Sequence, residues 1–138
     1  MIRYLLDTNA LSEPVRAKPD PRFLSLLEAH RAECAISSVT WHEAIYSLSR
    51  LPNGRRRDVL DDYLHGVVKT SLPVLPYDGP AAEWHGQERA RLVAAGLTPS
   101  FPDGQIAAIA RTQGLVVITA NHDDFKHFDG IEIQSWRD

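Results

Sequence analysis

The sequence predicts one α/β domain over residues 1–138, built on a mostly parallel sheet. Three observations carry that expectation. The stretches I-R-Y-L-L, C-A-I-S-S and L-V-V-I-T are short and largely apolar, as strands buried in a parallel sheet are. Between them lie longer segments whose apolar residues recur at helical spacing. The connections are brief and marked by Pro and Gly, and such alternation gives parallel strands joined by helical crossovers.

Taken in order, residues 2–6 form a buried central strand that stops at the polar triplet Asp7-Thr8-Asn9. A short helix over 10–16 follows, ended by Pro19-Asp20-Pro21. Phe23, Leu24, Leu26 and Leu27 give a second helix its core face, as far as about His30. Strand 34–38 ends in small polar residues, and the next helix carries Trp41, Ala44, Ile45, Leu48 and Leu51 in one apolar stripe. Glu43 falls on the opposite face. Residues 51–54 end that helix, and a partner over 55–68 places Val59, Leu60, Tyr63, Leu64 and Val67 on one side. A brief Pro-flanked strand at 73–76 precedes a helix over 80–95, which Pro80 starts and Gly96 stops. Pro102-Asp103-Gly104 opens a helix that Gly114 terminates. Strand 115–119, a polar turn region over 120–129 and a last strand at 131–133 complete the chain.

Composition narrows the class of protein. No apolar run approaches the roughly 18 residues of a membrane span, and Asp7 interrupts the first apolar stretch too early for a signal peptide. The single cysteine, Cys34, forms no internal disulfide, which fits a cytoplasmic protein. A net charge of −3 lacks the overall basic footprint of a nucleic-acid binder. Arg50 and Arg55-Arg56-Arg57 do concentrate positive charge locally, although a solvated charge run is the simpler account of them.

Four carboxylates share a structural address. Asp7 follows the first strand, Glu43 lies in the first turns of the helix leaving the second, and Asp124 lies just beyond strand 115–119. Ligands of open parallel sheets gather at those carboxyl ends. Asp103 begins the helix leading into that strand and is expected to join the others only through a loop folded over the edge. Each acid also has a plainer account. Asp7-Thr8-Asn9 suits a helix cap, Glu43 suits a capping box with Thr40, Asp103 suits a first helical turn, and Asp124 or its neighbour Asp123 suits a solvated turn. Four acids in one cleft, however, repel one another unless a cation is bound, so their convergence is informative. Oxygen-only ligation favours Mg²⁺ or Mn²⁺ over zinc, and none of the six histidines has zinc-site spacing. Such cations activate water and stabilise the leaving oxygen of a phosphodiester. Neutralising the four acids turns the net charge from −3 to +1, which no longer repels a polyanion.

The motifs L-L-D-T-N, S-S-V-T-W-H-E-A, P-D-G-Q-I-A-A-I-A and T-A-N-H-D-D-F, in this order, resemble those of PIN-domain nucleases, and more narrowly the toxins of VapBC-type toxin-antitoxin pairs. The likeness runs from Ile2 to Trp136. It implies a PIN-like three-layer α/β/α sandwich. By this resemblance Asp7, Glu43, Asp103 and Asp124 carry a catalytic metal site, supported by Thr8, Asn9, Thr119 and Asn121. Asp124 is preferred to Asp123 because the family pattern places the acid directly before the phenylalanine, here Phe125. The implied activity is Mg²⁺- or Mn²⁺-dependent endoribonuclease cleavage, in which metal-activated water leaves a 5′-phosphate and a 3′-hydroxyl and translation is restrained. The implied partners are RNA, a cognate antitoxin and a second copy in a homodimer, with no membrane. The exposed basic turn at 51–57 is the expected place for much of the partner contact.

Three other readings compete. His42 and His122 supply a general acid and base for a metal-independent ribonuclease. Asp7 supplies the nucleophile of a phosphatase, although the usual partner acid two residues on is Asn9 here. A non-catalytic PIN-fold module would bind protein or nucleic acid without cleaving it, but it has no need to keep four uncompensated acids.

Overall fold

The structure is a computed structural model that describes residues 1–137; Asp138, the last residue of the expected 1–138 domain, lies outside the described residues. Its five strands are β1 (Tyr4–Leu6), β2 (Cys34–Ser37), β3 (Val74–Leu75), β4 (Val116–Ile118) and β5 (Glu132–Gln134). All pair in parallel, in the order β3-β2-β1-β4-β5. The first strand is therefore central, with Tyr4 in register with both Cys34 and Val116. Because the chain grows outward from β1 in two directions, the segments leaving the paired carboxyl ends of β1 and β4 pass to opposite faces of the sheet. That is the switch point at which open sheets of this kind hold ligands.

Helices cover both faces. The α1 (Thr8–Ser12), α2 (Pro21–His30), α3 (Ser38–Arg50) and α4 (Arg55–Asp61) helices lie on one side, with α6 (Gly79–Ala94) and α7 (Phe101–Gln113) on the other. Alternation along β1 divides its residues between two cores. Tyr4 and Leu6 pack with Ile36, Leu48, Leu64 and Trp136, while Leu5 packs with Ala35, Leu92, Ile109 and Phe125. All three strand residues are buried, as a strand covered on both faces requires. Among the described residues, no helix is long and apolar enough to cross a membrane.

Local chemistry accounts for most element ends. Asp20, Ser37, Asp78 and Ser100 each accept a bond from a backbone amide of the first turn of α2, α3, α6 and α7. Gly114 ends α7 with φ of 68°, a left-handed conformation that favours glycine. One expectation shifts. From Asp62 to Val68 the helix after α4 widens into a π-helical segment, continued by α5 (Lys69–Ser71). It buries Leu64 and Val68 and leaves Val67 exposed rather than on the core side; Val59, earlier in α4, is exposed as well. The wider turn changes the period from which the apolar face was read.

Candidate active site

The β1–β4 switch point opens into a cavity of about 470 Å³, lined by Asp7, Glu43, Asp103 and Asp124 together with Thr8, Asn9 and Asn121. Thr119 stands just behind it, buried, and donates its hydroxyl proton to Asp7 Oδ2 at 2.5 Å. This bond ties the ends of β1 and β4 together. The same Thr119 oxygen accepts the Asn121 amide at 3.0 Å, and Asn9 Oδ1 accepts the Ala120 amide at 3.5 Å. The threonine and the two asparagines thus brace the loop that follows β4.

Asp7 serves two purposes. Its Oδ1 accepts the Ala10 amide at 3.0 Å and caps α1, as the plainer account holds. It also faces the acid cavity while only 6% exposed. Burial pushes its carboxyl up to about 6; the Asp103 charge adds to that rise, and the bonds from Thr119 and Ala10 oppose it. Glu43 does not close a capping box with Thr40. The α3 helix begins earlier than that pattern assumes, and Ser37 takes the Thr40 amide at 2.9 Å. Glu43 is left facing the cavity, its carboxyl raised by burial and by Asp103, with the nearby Thr8 side chain opposing that rise.

Asp103 reaches the site without a loop folding over the edge. A crossover helix runs antiparallel to the strands, so the first turn of the helix preceding β4 lies at their carboxyl ends. Ser100 caps that helix, accepting the Asp103 amide at 3.2 Å. Burial raises the Asp103 carboxyl, and the Asp124 charge raises it further. Behind this turn, Tyr77 and buried His85 bond through the phenol and Nδ1 at 2.8 Å. A Cβ on Gly104 would stand 2.2 Å from His85 Nε2, so the backbone beside Asp103 is seated against that imidazole.

The two adjacent acids differ in place. Asp124 lines the cavity, whereas Asp123 is on an adjoining surface and pairs with Lys126 at 3.2 Å. Neither His42 nor His122 lines the cavity, and both are exposed. Ser12, Arg16 and Ser100 also line it, although the sequence reading did not single them out. Ser100 carried a recognisable signal as a cap before Pro102; Arg16 carried none.

Chemically, the site is an oxygen-donor set linked by repulsion: Asp103 raises Asp7 and Glu43, and Asp124 raises Asp103. Such a set fits a hard divalent cation. Its acids ring the cavity without converging on one point: among the described residues, no three His, Cys, Asp or Glu side chains stand in a metal-ligating arrangement.

Known proteins share this architecture and sequence. The "tRNA(fMet)-specific endonuclease VapC" of Salmonella typhimurium is 35% identical, with 99% of each chain covered. "Toxin FitB" of Neisseria gonorrhoeae is 32% identical, covering 97% of this chain and 99% of that protein. Among solved structures, DNA-bound VapBC from Salmonella typhimurium has a TM-score of 0.87 at 32% identity over 99% of both chains. FitAcB from Neisseria gonorrhoeae has a TM-score of 0.86 at 31% identity, over 94% of this chain and 95% of that one. The PIN domain model matches residues 4–131, a span that includes every acid of the cavity. With its parallel sheet, its acid-lined switch point and relatives that extend over nearly its whole length, the chain belongs to the PIN-domain family.

Proposed function

We propose that this protein is a Mg²⁺- or Mn²⁺-dependent endoribonuclease and the toxin of a toxin-antitoxin pair, restraining translation by cutting RNA. The observation that carries the reading is the cavity itself: four carboxylates at one sheet edge, of which Asp7, Glu43 and Asp103 are held above their usual range, with Arg16 the one cationic side chain in the lining among the described residues. Relatives named as VapC ribonucleases and endonucleases support the substrate class.

Asp7, Glu43, Asp103 and Asp124 are the residues that would hold the cation. When bound, it supplies a Lewis acid that makes water nucleophilic near neutral pH and offsets charge at the phosphate. The chain's own groups supply position. Thr119 and the Ala10 amide hold Asp7 through one bond to each oxygen, leaving each oxygen a further lone pair for a ligand in the cavity that Asp7 lines. Thr8 lines the cavity with Glu43, while the Asn9 side chain and the Asn121 amide brace the cavity wall.

An antitoxin partner is supported by the VapBC and FitAB complexes among the structural relatives. A groove of about 850 Å³ beside the 51–57 turn, with Leu51, Val59 and Leu60 between Arg16, Arg55 and Arg56, suits an amphipathic acidic segment. A homodimer is part of the same proposal, and sedimentation of the purified chain tests it.

The decisive experiment incubates cellular RNA with the wild-type chain and with Asp7→Asn, with and without Mg²⁺ or Mn²⁺. Cleavage leaving 5′-phosphate and 3′-hydroxyl ends is expected, lost with Asp7→Asn by at least about 100-fold, the upper range for residues one step removed from a metal. A 2′,3′-cyclic phosphate product would overturn the hydrolytic reading in favour of histidine chemistry. Wild-type rates from Asp7→Asn would overturn the site assignment.

A further inference from the structure

Among the described residues, the acid cavity has a single cationic side chain in its lining, Arg16. It follows the 3-10 turn Glu13–Val15, directly beyond α1, and its amide bonds to the Glu13 carbonyl at 3.2 Å. Its guanidinium Nη1 reaches Glu13 Oε1 at 3.4 Å. Glu13 is a rigid anchor: it is 1% exposed, Oε2 accepts the Asp20 amide at 3.1 Å, and Oε1 lies 3.3 Å from Arg137 Nε.

Among the described residues, only one edge of the Arg16 fork is engaged. Its side chain is 52% exposed, and a guanidinium has five N–H donors in a planar arrangement that matches phosphate oxygens. Arg16 also lines the groove that carries Arg55 and Arg56, whose lining contains no acid. It therefore stands at the seam between four carboxylates and a basic surface. A polyanion crossing from one to the other must pass it.

We propose that Arg16 grips a phosphate of the RNA backbone next to the bond to be cut, presenting the strand to the acid cavity. This rests on the ribonuclease reading above. Glu13 holds the arginine at the cavity mouth, so the grip is prepared before RNA arrives, and little freedom is lost on binding.

The test measures binding of a labelled single-stranded RNA of mixed sequence to Asp7→Asn and to Asp7→Asn combined with Arg16→Gln, at several salt concentrations. The added change is expected to weaken binding about 10-fold and to make the slope of log affinity against log salt shallower by about 0.7, the signature of one lost phosphate contact. Arg16→Lys keeps that slope but binds less tightly, because a point charge replaces the fork. In the otherwise wild-type chain, Arg16→Gln raises KM more than it lowers kcat. The melting midpoint should stay within a few degrees, since Arg137 still faces Glu13. Equal affinity and equal slope with and without Arg16→Gln would overturn the proposal, as would absence of RNA binding by Asp7→Asn. If the wild-type chain cuts no RNA while Arg16→Gln still loses affinity and slope, the ribonuclease reading fails and the phosphate grip stands.

Discussion

Asp7 and Glu88 are both 6% exposed, yet their surroundings treat their charges in opposite ways. Glu88, on α6, is held by Arg91 through two bonds of 2.6 and 2.9 Å and accepts the Asp129 amide at 2.5 Å. The guanidinium and that amide hold its carboxyl below the usual range. Asp7 has one hydroxyl and one amide for partners, and its nearest charged influence is another acid. A buried carboxylate with an arginine on it belongs to the scaffold, and one whose neighbours are acids is left chemically available. The difference separates structure from function without reference to any relative.

The sharpest way to break this contrast is to titrate it. The Asp7 carboxyl stands at about 6 in the folded chain, against 3.8 as its ordinary value. Between those values the folded chain keeps a proton that the unfolded chain has released. Its contribution to stability is therefore highest at low pH, falls as pH rises from about 4 to about 6, and is flat above that. A shift of that size corresponds to at most about 3 kcal/mol. Asp7→Asn keeps the acceptor for the Ala10 amide and removes the charge, so chemical denaturation should show higher stability at pH 7 and a shallower slope below 6. Some slope persists, because Glu43 and Asp103 are raised as well. Equal slopes in the two proteins would mean that Asp7 is solvated as freely as an ordinary surface acid.

The scaffold acid should respond in the reverse sense. Glu88→Ala leaves Arg91 without its partner and the Asp129 amide without its acceptor, and the melting midpoint is expected to fall by about 5 °C. RNA cleavage per folded molecule should not change, since Glu88 does not line the cavity. A loss of cleavage at full folding would place α6 within the functional apparatus.

What the sequence made legible follows the range of the interactions involved. Strands β1, β2 and β4, the apolar stripe of α3 and the Gly114 stop are local patterns, and each lies within a residue or two of its expected place. The arrival of Asp7, Glu43 and Asp124 at one edge followed from parallel strands alone. Asp103 needed the direction of a crossover helix, which spacing does not express, and its expected loop was unnecessary. The π-helical segment was illegible because its period differs from that of an ordinary helix. Glu13 and Glu88 were missed for a related reason: each is held in part by a partner, Arg137 or the Asp129 amide, that the fold supplies from far along the chain, and Arg16 was missed because its place in the cavity lining is set by tertiary position rather than by its local partner Glu13.

The adjacent pair Asp123 and Asp124 repeats the contrast between scaffold and site at the smallest scale. Both are exposed acids in one 3-10 turn, His122–Asp124, but Asp123 is matched by Lys126 whereas Asp124 acts on Asp103. An exposed pair of that kind contributes about 0–1 kcal/mol, so Asp123→Asn should change neither the melting midpoint nor cleavage by more than about twofold. Asp124→Asn removes an oxygen donor from the cavity wall and lowers the Asp103 carboxyl, because the negative neighbour is gone. Cleavage should fall well beyond the Asp123→Asn effect, and the fall should not be recovered at high salt, which screens exposed pairs but does not replace a donor. Equal losses from the two substitutions would show that the turn contributes only its net charge.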